Sequence, residues 1–296
     1  MRTAANSDSR YILSVDVEDY FQVEAFTDLI RREDWETMPR RVVANTERVL
    51  DLLAAHNQHG TFFIIGWIAE RHPELVRKIH AAGHEVACHS LLHRLIYNLT
   101  PEEFREDTRR AKSILEAAIG APVIGYRAPS YSITQKSLWA LEVLAEEGFK
   151  YDSSIFPIRH DIAGIPDYPR TPNLHEFAGG KSILEFPATT LRFGNMNLPV
   201  GGGGYLRIFP LRYSLWGLSK LGKEPGVFPA VYFHPWEIDP GQPRIAGRLR
   251  SRLRHYTNLK KMEGKLGRVL DRFSFTRYAD VFDARQESLH GVAAAD

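Results

Sequence analysis

The stretch that decides the fold is "YILSVDVEDYF", residues 11–21. It begins as a short apolar run, which predicts a buried strand near the N-terminus. The run ends in three acids within four residues, Asp16, Glu18 and Asp19. Carboxylates at this density repel one another and lose solvation when they are buried. Positive charge among them, such as a cation, would let them crowd together at a strand end, and the alternative is a solvated loop of acids.

The rest of the chain alternates short β-like runs with helical patterns, which is typical of βα units and a parallel sheet. Further strands are predicted at 60–66, 84–90, 122–128, 149–154, 182–188 and 228–234. Helices are predicted at 46–56, 73–82, 101–119, after Thr134, and in the basic segment 244–272. Residues 157–181 and 191–204 read as long excursions. The pattern therefore predicts an α/β fold.

Bulk composition excludes several classes of protein. The 296 residues are 44% hydrophobic and 25% charged, which is ordinary for a globular chain, and a net charge of +2 gives no argument for nucleic acid. The single cysteine, Cys88, rules out a disulfide within the chain. No signal peptide and no run of 18 apolar residues is present, so we expect a cytoplasmic protein without stable membrane insertion. The oligomeric state stays open.

The segment "CHSLLH" carries His89 and His93 four residues apart. If the segment is helical, both imidazoles lie on one face about 5–6 Å apart, which suits two ligands of one divalent metal. The alternative is two unrelated surface histidines. Cys88 points away from His89 on an alternating strand, so we interpret it as core packing.

Two further strand ends carry chemistry. Arg127 follows the run at 122–126 and His234 ends the run at 228–233. In a parallel α/β barrel the carboxyl ends of the strands share one face, so these residues can meet the acids and the histidines there. Arg127 would lower the pKa of a neighbouring carboxylate and fix its rotamer, and His234 would serve as a general acid. The alternatives are a structural ion pair and a structural histidine.

Taken in order, "DVED", "CHSLLH", "RAPSYS", "YDSS" and "YFHPWE" resemble the polysaccharide deacetylases of carbohydrate esterase family 4, with their nodulation-type chitooligosaccharide deacetylase homology domain. Within that family, "SVDVEDYF" and "NLPVGGGGYLR" resemble the branch found beside bacterial exopolysaccharide and exosortase gene clusters. The resemblance implies a distorted (β/α) TIM-like barrel with fewer than eight units over residues 10–240, plus a C-terminal α/β extension. We expect residues 241–285 to form a basic helical region packed on the barrel and residues 286–296 to be a frayed tail.

The resemblance also implies a divalent metal, most often zinc, and roles for particular residues. Asp16 matches the catalytic base, and His89 and His93 match two metal ligands. The third ligand is Glu18 by its spacing or Asp19 by its side-chain type, and both stay open.

The remaining motifs add supporting and substrate-binding residues. Ser90 matches the hydroxyl that braces the histidine loop, and Arg127 matches the arginine that orients the base. Asp152 lies in the fourth motif, and His234 matches the acid. The residues expected to line the substrate site are Ser130, Tyr131, Tyr205 and Trp236, with Trp216 as a further stacking candidate. A backbone N–H after Arg127 would help hold the oxyanion, and the carboxylate that should orient His234 is not evident.

The predicted function is hydrolysis of N-acetyl groups on amino sugars of a bacterial polysaccharide or oligosaccharide, in exopolysaccharide biosynthesis. Two alternatives remain. One is an allantoinase-like C–N hydrolase acting on a non-sugar amide. The other is a polysaccharide-binding protein without activity. Four glycines at 201–204 do not form a phosphate loop, because no Gly-Lys-Ser/Thr follows them. A flexible turn or a loop at the edge of the substrate site is expected instead.

Overall fold

A computed structural model describes the backbone of residues 11–293 and the side chains of residues 11–287. Its strands are β1 Tyr11–Val17, β2 Thr61–Ile64, β3 Glu85–Cys88, β4 Gly125–Tyr126, β5 Tyr151–Asp152, β6 Asn173–Phe177, β7 Lys181–Glu185, β8 Thr190–Phe193, β9 Met196–Pro199, β10 Ala230–Phe233 and β11 Phe275–Thr276. Its α-helices are α1 Val42–Ala55, α2 Gly66–Arg71, α3 Pro73–Ala81, α4 Pro101–Ile119, α5 Trp139–Glu146, α6 Gly204–Ile208, α7 Leu211–Leu221, α8 Leu249–Tyr256, α9 Leu259–Arg272 and α10 Tyr278–Ala293.

One large sheet organises the molecule. Its strands run in the order β10-β1-β2-β3-β4-β5-β7-β6, and β11 also pairs with β1. All of these pairings are parallel except that of β6 with β7. Strand β1, the first of the described chain, therefore lies inside the sheet, and its partners β10 and β11 come from the C-terminal part of the sequence. The predicted α/β, barrel-like fold is confirmed, and each strand predicted from the sequence is present.

Side-chain alternation along β1 separates two layers. Leu13, Val15 and Val17 join the large hydrophobic cluster beneath the helices, whereas Ile12 belongs to a second cluster on the opposite face of the sheet. Ser14 and Asp16 share the face of Ile12, because successive side chains of a strand point to opposite sides. This second face is the interior of the barrel, and it becomes polar toward the carboxyl end of β1.

Helix α10 closes the amino end of the barrel. Tyr278 and Val281 pack in the interior cluster with Phe63 and Tyr151. The first turn of the helix is fixed to the start of β2, since the Tyr278 N–H donates to Thr61 Oγ1 at 2.9 Å. The helix continues to Ala293 where a frayed tail is expected from residue 286, and residues 294–296 lie outside the described chain.

The helical predictions hold, with local differences. The expected cap of α4 is present, since the Thr100 hydroxyl accepts the Glu103 N–H and the Glu103 carboxylate accepts the Thr100 N–H. The basic segment 244–272 forms α8 and α9, with Asn258 at φ +60° between them. The two excursions are more ordered than expected, because they contain β6 and the β8–β9 hairpin. Across residues 11–293, no helix has the length and apolarity needed to cross a membrane.

Candidate metal and catalytic site

The acids of the opening stretch separate by strand parity. Asp16 belongs to β1, and Glu18 follows two residues later, so both carboxylates point into the barrel mouth while Val17 enters the opposite core. Both are nearly inaccessible to solvent, with Asp16 3% and Glu18 2% exposed. The alternation explains why an intervening residue separates the two acids.

Asp19 does not join them. Its Oδ1 accepts the Tyr20 N–H at 2.9 Å, and its Oδ2 accepts the N–H groups of Arg41 and Val42 at 2.7 and 3.0 Å. The last two donors begin α1, so Asp19 caps that helix from a distance. Burial raises the pKa of Asp19 to about 6 in spite of these donors. The structure thus gives Asp19 a supporting place away from the histidines.

His89 and His93 lie on a loop rather than on the helix considered above. Ser90 and His93 have φ values of +63° and +50°, and the Ser90 hydroxyl accepts the His93 N–H at 2.9 Å. This tight turn, braced by Ser90 as expected, still brings the two rings together, with centroids 5.2 Å apart. Cys88 is buried in the hydrophobic core, as its alternation predicts.

Glu18, His89 and His93 form one donor cluster in the described part of the chain. Each offers one ligand atom, and these atoms lie within 4.8 Å of one another. Glu18 Oε2 is buried without a hydrogen-bond partner although His93 Nε2 lies 3.0 Å away, and His93 Nδ1 is unpartnered as well. Buried polar atoms without partners are rare, so the cluster has the chemistry of an incomplete coordination sphere.

The protonation states of the cluster also suit a cation. His89 Nδ1 lies 2.7 Å from the Arg127 carbonyl oxygen; donation to that oxygen leaves Nε2 as the acceptor nitrogen. Burial lowers the pKa of His89 to about 4, so its ring is neutral. Burial alone would raise the pKa of Glu18, but His234 and His93 lower it to about 2. Two imidazoles and one carboxylate form a ligand set used by catalytic zinc, which keeps a further position open.

Arg127 fixes the other carboxylate of the mouth. Its Nη1 donates to Asp16 Oδ1 at 2.7 Å and to the Ser14 hydroxyl at 2.9 Å. Its Nη2 donates to the hydroxyls of Ser153 and Tyr278, each at 3.1 Å. Because Arg127 occupies Oδ1, only Oδ2 of Asp16 is turned toward the cluster.

His234 closes the opposite side of the mouth. Its Nε2 lies 3.3 Å from Glu18 Oε1 and 3.9 Å from Asp16 Oδ2, while its Nδ1 lies 2.8 Å from Glu237 Oε1. Burial lowers the pKa of His234, but Glu18 and Glu237 outweigh burial and raise it to about 9. Glu237 thus lies where the carboxylate expected to orient His234 should be, and the sequence motifs did not identify it. Its signal was the spacing of three in "HPWE", which lets both residues meet across one turn.

A cleft of about 770 Å³ opens above these groups. Ser130, Tyr131, Tyr205 and Trp236 all line it, whereas Trp216 lies outside it, and their contact with a substrate stays a prediction. Trp236 is 5% exposed and donates its Nε1–H to Glu18 Oε1 at 3.2 Å, so it also orients a carboxylate of the cluster.

Two backbone N–H groups near Arg127 are already occupied. The Ala128 N–H donates to the Ser154 hydroxyl and the Tyr131 N–H donates to the Ala128 carbonyl. Asp152 supports this loop indirectly, because it accepts the hydroxyl hydrogen of Ser154. If this loop supplies a donor to the oxyanion, that donor is therefore neither the Ala128 N–H nor the Tyr131 N–H.

Two family models and a set of relatives match this sequence. Residues 35–151 match the family model of the polysaccharide deacetylases, and residues 153–283 match a domain of unknown function, DUF3473. The chain carries a polysaccharide deacetylase domain. A chitooligosaccharide deacetylase of Bradyrhizobium sp. (strain ANU 289) is 33% identical over 100 residues, which are 34% of this chain and 43% of that relative. The match thus spans less than half of the relative.

Solved structures show the same fold. A candidate polysaccharide deacetylase from Mycobacterium smegmatis superposes with a TM-score of 0.59 at 19% identity, covering 97% of this chain and 94% of its own. PuuE allantoinase superposes with a TM-score of 0.61 at 15% identity, covering 94% of this chain and 90% of its own. At these identities the likeness concerns the fold alone.

The two matched segments share one site. The polysaccharide deacetylase domain supplies His89, His93 and Arg127, and β1 precedes it with Asp16 and Glu18. The DUF3473 segment supplies Arg207, Tyr232 and His234, which line the cleft. It also supplies partners of the buried site residues, since Ser153 and Tyr278 contact Arg127 and Glu237 contacts His234. Strands of both segments lie in one sheet. The boundary between the two matched segments, near residue 152, therefore does not separate two independent structural units.

Proposed function

We propose that this chain is a divalent-metal-dependent N-deacetylase that acts on amino sugars within a polysaccharide or oligosaccharide. The observation that carries the proposal is the convergence of three groups in one cleft: the Asp16–Arg127 pair, the Glu18–His89–His93 cluster and the His234–Glu237 pair. Zinc is the ion we favour, because it commonly uses two histidines and one carboxylate in hydrolases.

The residues divide the reaction between them. A divalent ion held by Glu18, His89 and His93 would supply a Lewis-acidic contact for the acetamide carbonyl. Asp16 accepts a proton from the attacking water through Oδ2, since Arg127 holds Oδ1. His234 donates the proton that the departing sugar nitrogen requires, and Glu237 holds the ring in place for that transfer. Acetate and a free amine are the products.

The substrate we infer is a glycan because curated relatives that share the deacetylase segment are named as chitooligosaccharide and peptidoglycan deacetylases. The resemblance of "SVDVEDYF" and "NLPVGGGGYLR" to the exopolysaccharide branch supports a role in bacterial exopolysaccharide biosynthesis. The cleft of about 770 Å³ also supports this, because Tyr131 and Tyr205 line it and offer aromatic surface to a sugar ring.

The test is acetate release from N-acetylated chitooligosaccharides and from peptidoglycan fragments, before and after chelation and with zinc or cobalt restored. We expect activity that chelation abolishes and metal restores. Asp16→Asn and His234→Ala should each lower kcat by about 10²-fold or more, while His80→Ala, an exposed histidine on α3, should leave it unchanged. Ring opening of allantoin without acetate release would favour the allantoinase-like alternative. Glycan binding without turnover of any substrate would favour the binding-protein alternative.

A further inference from the structure

Arg207 is a buried arginine of the DUF3473 segment that the sequence motifs did not single out. It lies on α6 directly after the four glycines, and it is 1% exposed. Its Nε donates to Glu237 Oε2 at 2.9 Å. Its Nη1 and Nη2 donate to the carbonyl oxygens of Thr257 and Arg254 at 2.7 and 2.9 Å. The guanidinium therefore joins the partner of His234 to the carboxyl end of α8, where a positive charge is favourable.

The glycine loop fixes where Arg207 can lie. Gly201 accepts the Tyr232 N–H at 2.9 Å, and the Gly203 N–H donates to the Tyr232 carbonyl at 2.8 Å. The loop thus pairs with β10, the strand that directly precedes His234. A Cβ on Gly202 would lie 2.4 Å from the Tyr232 carbonyl oxygen, so the approach requires glycine. The loop is neither a free turn nor a phosphate cradle, and its hydrogen bonds to Tyr232 hold the start of α6 beside β10.

Glu237 uses its two oxygens for different partners. Oε1 faces His234 Nδ1 and also accepts the His234 backbone N–H at 3.2 Å, while Oε2 meets Arg207. The Glu237 side chain is inaccessible to solvent, so Arg207 and not bulk water is the partner of Oε2. Removal of Arg207 would leave a buried anion with one unpaired oxygen, which favours rotation of the carboxylate or uptake of a proton. Either change would release the His234 ring.

We propose that Arg207 is a positioning residue that sets the orientation of His234 through Glu237, and that the glycine loop exists to place it. The inference rests on the proposed deacetylase function. On this proposal the DUF3473 segment contributes His234, the general acid, and also Arg207, the buried charge that keeps His234 oriented toward the cleft. Arg207 borders the cleft, but its three guanidinium nitrogens are engaged by Glu237, Thr257 and Arg254.

A merely structural role is the competing explanation, since Arg207 also joins α6 to α8. A double-mutant cycle separates the two. In metal-loaded protein, Arg207→Met should lower kcat about 10- to 100-fold with KM within about twofold, as loss of an orienting partner does. In a Glu237→Gln background the same substitution should lower kcat no further, because the residue it acts through is already altered. The double variant also removes both buried charges, so it tests folding without an orphaned carboxylate.

Arg170 provides the matched control. It donates to the Glu224 carboxylate and to the Thr190 carbonyl, so it combines the same kinds of partner away from the cleft. Arg170→Met should cost stability and leave kcat unchanged. Arg207→Lys should recover part of the activity, because one ammonium can reach Glu237 without reproducing the three directed bonds.

A second readout does not depend on activity. The proton on His234 Nδ1, assigned by its absence in His234→Gln, should give a downfield NMR signal that is lost in Arg207→Met and retained in Arg170→Met. Two results would overturn the positioning role. One is a double variant whose loss of kcat equals the product of the losses in Arg207→Met and Glu237→Gln. The other is a His234 signal that Arg207→Met leaves unchanged. If the wild-type protein releases no acetate from any glycan, the proposed function falls, and the NMR signal alone then decides whether Arg207 orients His234.

Discussion

Replacing Glu18 and Asp19 in turn tests the assignment of the two neighbouring acids. Asp19→Ala removes the acceptor of three backbone N–H groups, two of which begin α1. Loss of a helix cap costs about 0.5–2 kcal/mol, and a buried donor left unpaired costs about 1–3 kcal/mol. Because the Arg41 N–H is only partly buried, water compensates some of this cost. We therefore expect a loss of about 2–4 kcal/mol in the free energy of unfolding, which lowers Tm by about 4–8 °C.

Glu18→Ala should have the opposite profile. It removes a carboxylate that lies with His89 and His93 in the donor cluster, so metal affinity should fall by about 100-fold or more, beyond the 10- to 100-fold typical of lost supporting contacts. The affinity of Asp19→Ala should stay within about threefold of wild type. Competition against a chromophoric chelator measures both affinities. Thermal melts are recorded with excess chelator, since bound metal would itself raise Tm.

The two residues are adjacent and both buried, so each variant is the control for the other. If Asp19→Ala weakened metal binding as much as Glu18→Ala, the parity argument for β1 would be wrong. The same would follow if Asp19→Ala left Tm within about 1 °C of wild type, because the capping role would then be absent.

Three further results are expected. Arg127→Met should lower the free energy of unfolding by about 3–5 kcal/mol, because it leaves the buried Asp16 carboxylate without its partner. Adding Asp16→Asn to Arg127→Met should recover part of that loss in urea titrations, and a double variant no more stable than Arg127→Met would contradict the pairing. Burial raises the pKa of Asp152 to about 6, and burial together with the neighbouring Asp152 carboxylate raises the pKa of Glu185. The folded state therefore binds protons more tightly than the unfolded state, and stability falls as pH rises from about 4 through 6 and above; Glu185→Gln should show a shallower fall in chelator-treated protein, and an unchanged slope would refute this. Gly202→Ala should lower the free energy of unfolding by about 1–3 kcal/mol, measured by thermal melting, and should lower kcat, measured by acetate release. A variant with wild-type Tm would show that the loop can move away from β10.

Much of the fold was readable from periodicity and end signals. Strand β1 and the capped helix α4 follow from short-range patterns, and these depend on neighbours that lie close in sequence. The inward direction of Asp16 and the core position of Cys88 follow from strand alternation alone. The edge strand β6 was missed, because its alternation lies within a segment rich in proline and glycine.

The candidate site was predicted less completely. The spacing of His89 and His93 suggested a helix, yet two residues with positive φ fold the segment as a loop. Periodicity carries no information about such a turn, and the rings meet for a different reason than the one assumed. Arg207 and Tyr278 were missed because they reach the site through tertiary contacts with partners 30 and 151 residues away.

The closure of the barrel by α10 has a consequence for the order of events during synthesis. The ribosome releases Asp16 early, but Arg127 gains its Tyr278 hydroxyl only after a further 151 residues have been made. Until then, β1 also lacks β10 and β11 on one side. Long-range pairing of this kind cannot precede the chain that provides it. Arg127 therefore has its full set of partners only when α10 has left the ribosome, and a chain stalled before residue 278 lacks the Tyr278 hydroxyl beside the Asp16–Arg127 pair.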